Sequence, residues 1–147
     1  MTIYFEDFKV GHTHELGAVE VTEAEIIDFA IRYDPQPFHL DVEAAKDSPF
    51  GGLIASGWHT SALYMRLLAD GLLNGSSSQG ASGIEELRWL APVRPGDMLR
   101  ARYTVEDATP SATKPNRGTI HFLSEMVNQD DIVVLSMRGR GQFGTRP

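Results

Sequence analysis

The sequence contains no cysteine, which excludes disulfides, thiolate metal sites and cysteine nucleophiles and is compatible with a reducing compartment. No apolar run approaches the roughly 18 residues of a membrane span. Residues 1–10 mix Glu6, Asp7 and Lys9 with aromatic side chains instead of following a basic stretch with an apolar one, so no secretory signal is expected. These absences set the expectation of a cytoplasmic protein without a membrane anchor. There is no basic arm or basic helix, and nucleic-acid binding depends on neutralising phosphates with Lys and Arg, so that class of partner is excluded. Internal repeats, low-complexity tracts and a glycine-rich phosphate loop are also missing.

What is present is a chain of 147 residues, 41% hydrophobic and 22% charged, the profile of one domain spanning residues 1–147. Lys and Arg number 13 against 20 Asp and Glu, for a formal net charge of −7. Residues 1–87 carry 4 basic and 14 acidic side chains, whereas residues 88–147 carry 9 and 6. The basic half either receives an anionic ligand or merely alternates Arg with apolar residues along strands.

Thr22-Glu23-Ala24-Glu25 has the form of a capping box, so a helix starts there and its apolar stripe of Ile26, Ile27, Phe29, Ala30 and Tyr33 runs to Tyr33. Pro35 and Pro37 lack N–H donors and end it before Asp34. A short helix follows Asp41 as cap, and Pro49-Phe50-Gly51-Gly52 reads as a turn. Residues 57–73 are apolar nearly all round, with Arg66 and Asp70 as one i,i+4 polar pair, which predicts a buried helix. Residues 74–80, Asn-Gly-Ser-Ser-Ser-Gln-Gly, read as a flexible connection. Downstream, residues 83–93, 98–107, 118–128 and 132–143 carry strand-type residues separated by turn signals, and residues 14–21 add an N-terminal strand. The class is α+β, an antiparallel sheet against a central helix.

Chemistry concentrates in Asp34-Pro35-Gln36-Pro37-Phe38-His39. Two prolines stiffen a non-helical loop that displays a carboxylate and an imidazole five residues apart. At neutral pH such a pair combines an ionised acid with a neutral base, which suits holding one water molecule and moving its proton. The alternative for Asp34 is an Asx-turn or helix cap, with His39 packed beside it.

Asp-x-Gln-Pro-Phe-His-Leu-Asp at residues 34–41 resembles the Asp-x-Asn-Pro-x-His motif of the MaoC-like dehydratases and R-specific enoyl-CoA hydratases, a branch of the hot dog fold. Tyr4-Phe5-Glu6-Asp7-Phe8, Ala55-Ser56-Gly57 ahead of the helix, and the stretch from Leu87-Arg88-Trp89 to Pro95-Gly96-Asp97 extend the likeness over most of residues 4–143. Gln36 departs from the Asn usual at its position, which changes the reach of the bonds that pin the loop.

The resemblance implies a sheet wrapped around a long central helix, and a homodimer. It also implies reversible hydration of an enoyl-CoA thioester, with R stereochemistry, by Asp34 and His39, and an oxyanion donor at Gly57. No metal and no cofactor is implied, coenzyme A being part of the substrate. A helix start is physically apt for that last role, since it offers unpaired N–H groups and the positive end of the helix dipole.

Among other candidates, Trp58 either shapes the acyl pocket or packs in the core, and His59 either lines the pocket or is structural. Arg88 and Arg94, with Arg100, Arg102, Arg138 and Arg140, are candidates for the phosphates of coenzyme A. His12 and His14 share a strand face without a third ligand, and His121 falls mid-strand. A hot dog thioesterase and a non-catalytic acyl-CoA-binding domain are the competing readings. The central helix has only Asp70 as a carboxylate, which counts against a thioesterase, and the retained Asp34 and His39 count against a merely binding domain.

Overall fold

Alternating burial along Arg117–Val127 identifies the middle of the sheet, where every second side chain faces the core. In the computed structural model, which describes residues 1–147, five antiparallel strands lie in the order β1-β3-β4-β5-β2. They are β1 (Thr13–Glu20), β2 (Gly83–Trp89), β3 (Met98–Pro110), β4 (Arg117–Val127) and β5 (Val133–Gly144). The helices are α1 (Glu23–Tyr33), α2 (Pro37–Leu40), α3 (Val42–Lys46) and α4 (Gly57–Gly71). No helix is long and apolar enough to cross a membrane. The sheet wraps α4, as the hot dog arrangement requires. Leu99, Tyr103, Ile120, Phe122 and Leu135 fill the space between them, and the Tyr64 hydroxyl of α4 donates to Ser124 of β4.

Local chemistry sets the element ends. Thr22 caps α1 by accepting from the Glu25 N–H at 3.2 Å, while the Glu25 carboxylate accepts the Thr22 hydroxyl at 3.0 Å and does not reach the backbone N–H of a full capping box. Asp41 caps α3 by accepting from the N–H groups of Glu43 and Ala44. Gly96 adopts φ +88° in the turn before β3, a conformation that favours glycine.

Four expectations change. The stretch ahead of His39 is not wholly non-helical, because Pro37, with its fixed φ, occupies the first position of α2 and carries His39 on that single turn. α4 is buried along one stripe, at His59, Thr60, Tyr64 and Leu68, whereas Trp58 is 59% and Met65 46% exposed, because one sheet covers only one side of a helix. Residues 74–80 are tied down on both sides: the Ser77 N–H donates to the Ile3 carbonyl and the Gln79 N–H to that of Gln142, each at 2.8 Å. β2 also stops at Trp89, short of residue 93, since Pro92 cannot continue a ladder.

Candidate active site

A cavity of about 420 Å³ opens where α2, the start of α4 and the segment after β2 meet. Asp34, His39, Gly57, Phe38, Trp58 and Trp89 are among its lining residues. The structure therefore brings together all three of the predicted catalytic positions with Trp58. Asp34 follows the last turn of α1, His39 rides on α2, and the chain between α3 and α4 returns so that Ile54 and Ser56 lie against both.

His39 is nearly buried, and its Nδ1 lies 2.7 Å from the Ile54 carbonyl. A carbonyl only accepts, so Nδ1 carries the hydrogen and, in the neutral ring, Nε2 is the bare nitrogen. That Nε2 faces Asp34 Oδ2 at 3.3 Å. The carboxylate is held by the Gln36 amide, which donates to Oδ1 at 2.6 Å, and by the Ser56 hydroxyl, which donates to Oδ2 at 2.7 Å. Burial pushes the Asp34 carboxyl up, but the hydrogen bonds from Gln36 and Ser56 and the charge of His39 together outweigh it. The pKa lies below the usual carboxylate value.

Ser56 also caps α4, accepting from the Trp58 N–H at 3.3 Å, so one hydroxyl joins the helix start to the carboxylate. Gly57 is the first residue of α4 and its N–H has no partner in the chain, as first-turn donors lack one inside the helix. The Trp89 ring lies so close to Gly57 that a Cβ there would fall 2.9 Å from its Cγ and nearer still to the fused bond. Only glycine leaves room for this approach.

The other predicted residues lie apart from the cavity. His59 turns into the core and stacks on Phe29 at 4.9 Å; burial lowers its pKa against the opposing charge of Glu25, which keeps it neutral. Arg88 projects to the opposite face from Trp89, as neighbours on a strand must, and pairs with Glu86 at 3.3 Å. Arg94 braces the cavity from outside by donating to the Phe50 carbonyl at 2.7 Å. Arg102 and Arg140 pair with Glu125 and Glu85, Arg138 with Glu86 and Glu106, and Arg100 with Asp131. His12 and His14 meet edge to face at 4.5 Å, and no group of three His, Asp or Glu residues gathers to hold a metal ion. Ser56 and Trp89 are the site residues to which sequence reasoning assigned no role. The small polar residue immediately before a helix was the available signal for Ser56.

The family described as the MaoC like domain matches residues 8–125. The chain belongs to the MaoC-like dehydratase family. A 3-hydroxybutyryl-CoA dehydratase of Methylorubrum extorquens is 36% identical over 110 residues, covering 74% of this chain and 67% of that protein. An (R)-specific enoyl-CoA hydratase of Rhodospirillum rubrum is 31% identical over 113 residues, covering 73% and 72%. The crystal structure of a MaoC-like dehydratase from Rhodospirillum rubrum superposes with a TM-score of 0.91 at 42% identity, covering 99% of both chains. At the level of the family, MaoC-like proteins are hydratases and dehydratases, and the hot dog fold expected from the motif is the fold found.

Because the Asp34 carboxyl is held below the usual carboxylate value, it stays ionised through the mildly acidic range. Gln36→Ala deletes a donor to the charged form and will raise the Asp34 pKa, measured by NMR titration of its carboxyl carbon. The sign for stability is parallel. A depressed carboxyl stabilises the fold above its unfolded pKa, and the contribution is lost as pH falls through the native value.

Proposed function

We propose that this MaoC-like protein adds water reversibly across the double bond of an enoyl-CoA thioester. The observation that carries the reading is the Asp34–His39 pair, with Asp34 Oδ2 and His39 Nε2 3.3 Å apart beside the free N–H of Gly57. Two acceptors side by side repel unless a proton lies between them or a water molecule donates to both. A water held in that way directs its lone pairs outward, toward the β-carbon of an enoyl group in the cavity.

On attack, the water oxygen bonds to the β-carbon, its proton passes to His39 Nε2, and the electron pair of the double bond moves onto the thioester oxygen. The Gly57 N–H and the positive end of α4 stabilise that oxygen. Asp34, kept ionised by Ser56 and Gln36, stabilises the imidazolium, which then delivers the proton to the α-carbon. All proton transfers use side chains of the chain itself, so no cofactor beyond the coenzyme A of the substrate is part of the reading.

The test is loss of enoyl absorbance with crotonyl-CoA and chromatographic recovery of 3-hydroxybutyryl-CoA, with the protein dialysed against EDTA. Turnover of a panel of enoyl-CoA chain lengths supports the reading. Hydrolysis of acyl-CoA without hydration favours a thioesterase, and binding without either reaction favours an accessory domain.

The working form is proposed to be a homodimer of one-domain subunits. β2 is an edge strand, and the apolar side chains of Ile84 and Trp89 on it, of Leu90 just after it and of Trp58 and Met65 on α4 are exposed in the single chain. Light scattering is expected to give twice the chain mass, and a monomer at micromolar concentration would overturn this part.

A further inference from the structure

The cleft between α4 and the β5–β2 side of the sheet holds two cavities that share no residue. The second measures about 160 Å³ and its walls are mainly apolar, with no charged side chain. Three elements show that the two lie in line. On α4, Trp58 borders the first and Met65 the second; on β2, Trp89 and Ile84 do so; on β5, Val134 and Met137. Ser61 falls between Trp58 and Met65 on the same helix stripe. Its hydroxyl donates to the Gly57 carbonyl at 3.0 Å and accepts from the Trp89 indole N–H at 3.2 Å. A single hydrogen-bonded strut thus crosses the cleft from helix to strand between the two chambers.

The geometry points to the Trp89–Ser61 strut as the residue pair that limits acyl-chain length. The inference rests on the ligand being an acyl thioester, as in the proposed function. With the strut closed, an acyl group whose carbonyl meets Gly57 ends against the Trp89 indole. Without the Ser61 hydroxyl the Trp89 indole N–H has no partner, so the ring is free to turn off the cleft and the chain can continue along α4 into the second chamber. An apolar cavity of about 150 Å³ accommodates benzene, so that chamber accepts about six further carbons.

The experiment compares butyryl-CoA with decanoyl-CoA by calorimetry. These saturated thioesters cannot be hydrated, so their binding reports chain length alone. Each methylene moved from water into an apolar site is worth about fourfold in affinity. The decanoyl/butyryl affinity ratio is expected to rise at least tenfold over wild type in Ser61→Ala and in Trp89→Phe, which keeps the ring but lacks the N–H. Ile84→Trp in the Ser61→Ala background fills the second chamber and brings the ratio back down. A general packing defect weakens both ligands and leaves the ratio unmoved. A ratio unchanged in both single variants, or one that Ile84→Trp does not reduce, overturns the strut. Inert crotonyl-CoA with the ratio shifting as expected removes the hydratase reading alone, and failure of either thioester to bind removes both.

Discussion

His39→Gln is expected to lower kcat for crotonyl-CoA hydration by about a thousandfold while leaving the fold intact, since positioned proton transfer contributes of that order. Glutamine can still donate to the Ile54 carbonyl, replacing the 2.7 Å bond of Nδ1, but it has no lone-pair nitrogen to take the proton of water. Asp34→Asn should cost a similar factor for a different reason. The amide still accepts from Ser56, yet it carries no charge to stabilise the imidazolium. Because the pair acts on one water, the double variant should lose little more than either single one. Additive losses would mean that the two residues act in separate steps.

Gly57→Ala is the second large effect. The added Cβ would overlap the Trp89 ring at the start of α4, so the indole must leave its seat against the helix and the unpaired N–H loses its open approach. Overpacking of this kind costs about 2 kcal/mol, read as a fall in the urea midpoint. Obstructing an oxyanion donor should lower kcat/KM by about a hundredfold. A double variant with Trp89→Ala separates the two consequences. Removing the ring makes room for the methyl group, so the combined stability loss should fall below the sum of the single ones. An additive result would mean that the ring and the glycine are not coupled.

The features legible in the sequence are those that local chemistry determines. Thr22, Pro35 and Pro37 bracket α1 to within a residue, and Asp34 and His39 lie close enough along the chain for a short motif to present them as a pair. The hidden features depend on distant partners. Nothing adjacent to Ser56 tells that Asp34, 22 residues earlier, will receive its hydroxyl. Ser61 and Trp89 are 28 residues apart and meet only across the cleft between α4 and β2. Residues 74–80 have the composition of a flexible linker, but Ile3 and Gln142 hold them. From its position in the first turn of α4 His59 reads either as a pocket residue or as a structural one, and only the helix phase, which turns it toward Phe29, decides for the second. The arginines of β3 and β5 look like an anion site in a linear charge count, until register sets most of them opposite glutamates.

The strand order has a consequence for how the protein is made. β3, β4 and β5 pair with their sequence neighbours as a meander, whereas β1 and β2, both earlier in the chain, flank that meander, with Glu20 opposite Met98 and Trp89 opposite Leu135. A growing chain therefore emerges with Asp34, His39 and Gly57 already synthesised and no sheet for α4 to lie on. The apolar stripe of that helix must wait for the residues that run from Leu72 to the end of β5 at Gly144. Synthesis exposes it during that interval, and the active site closes only as the last strand leaves the ribosome.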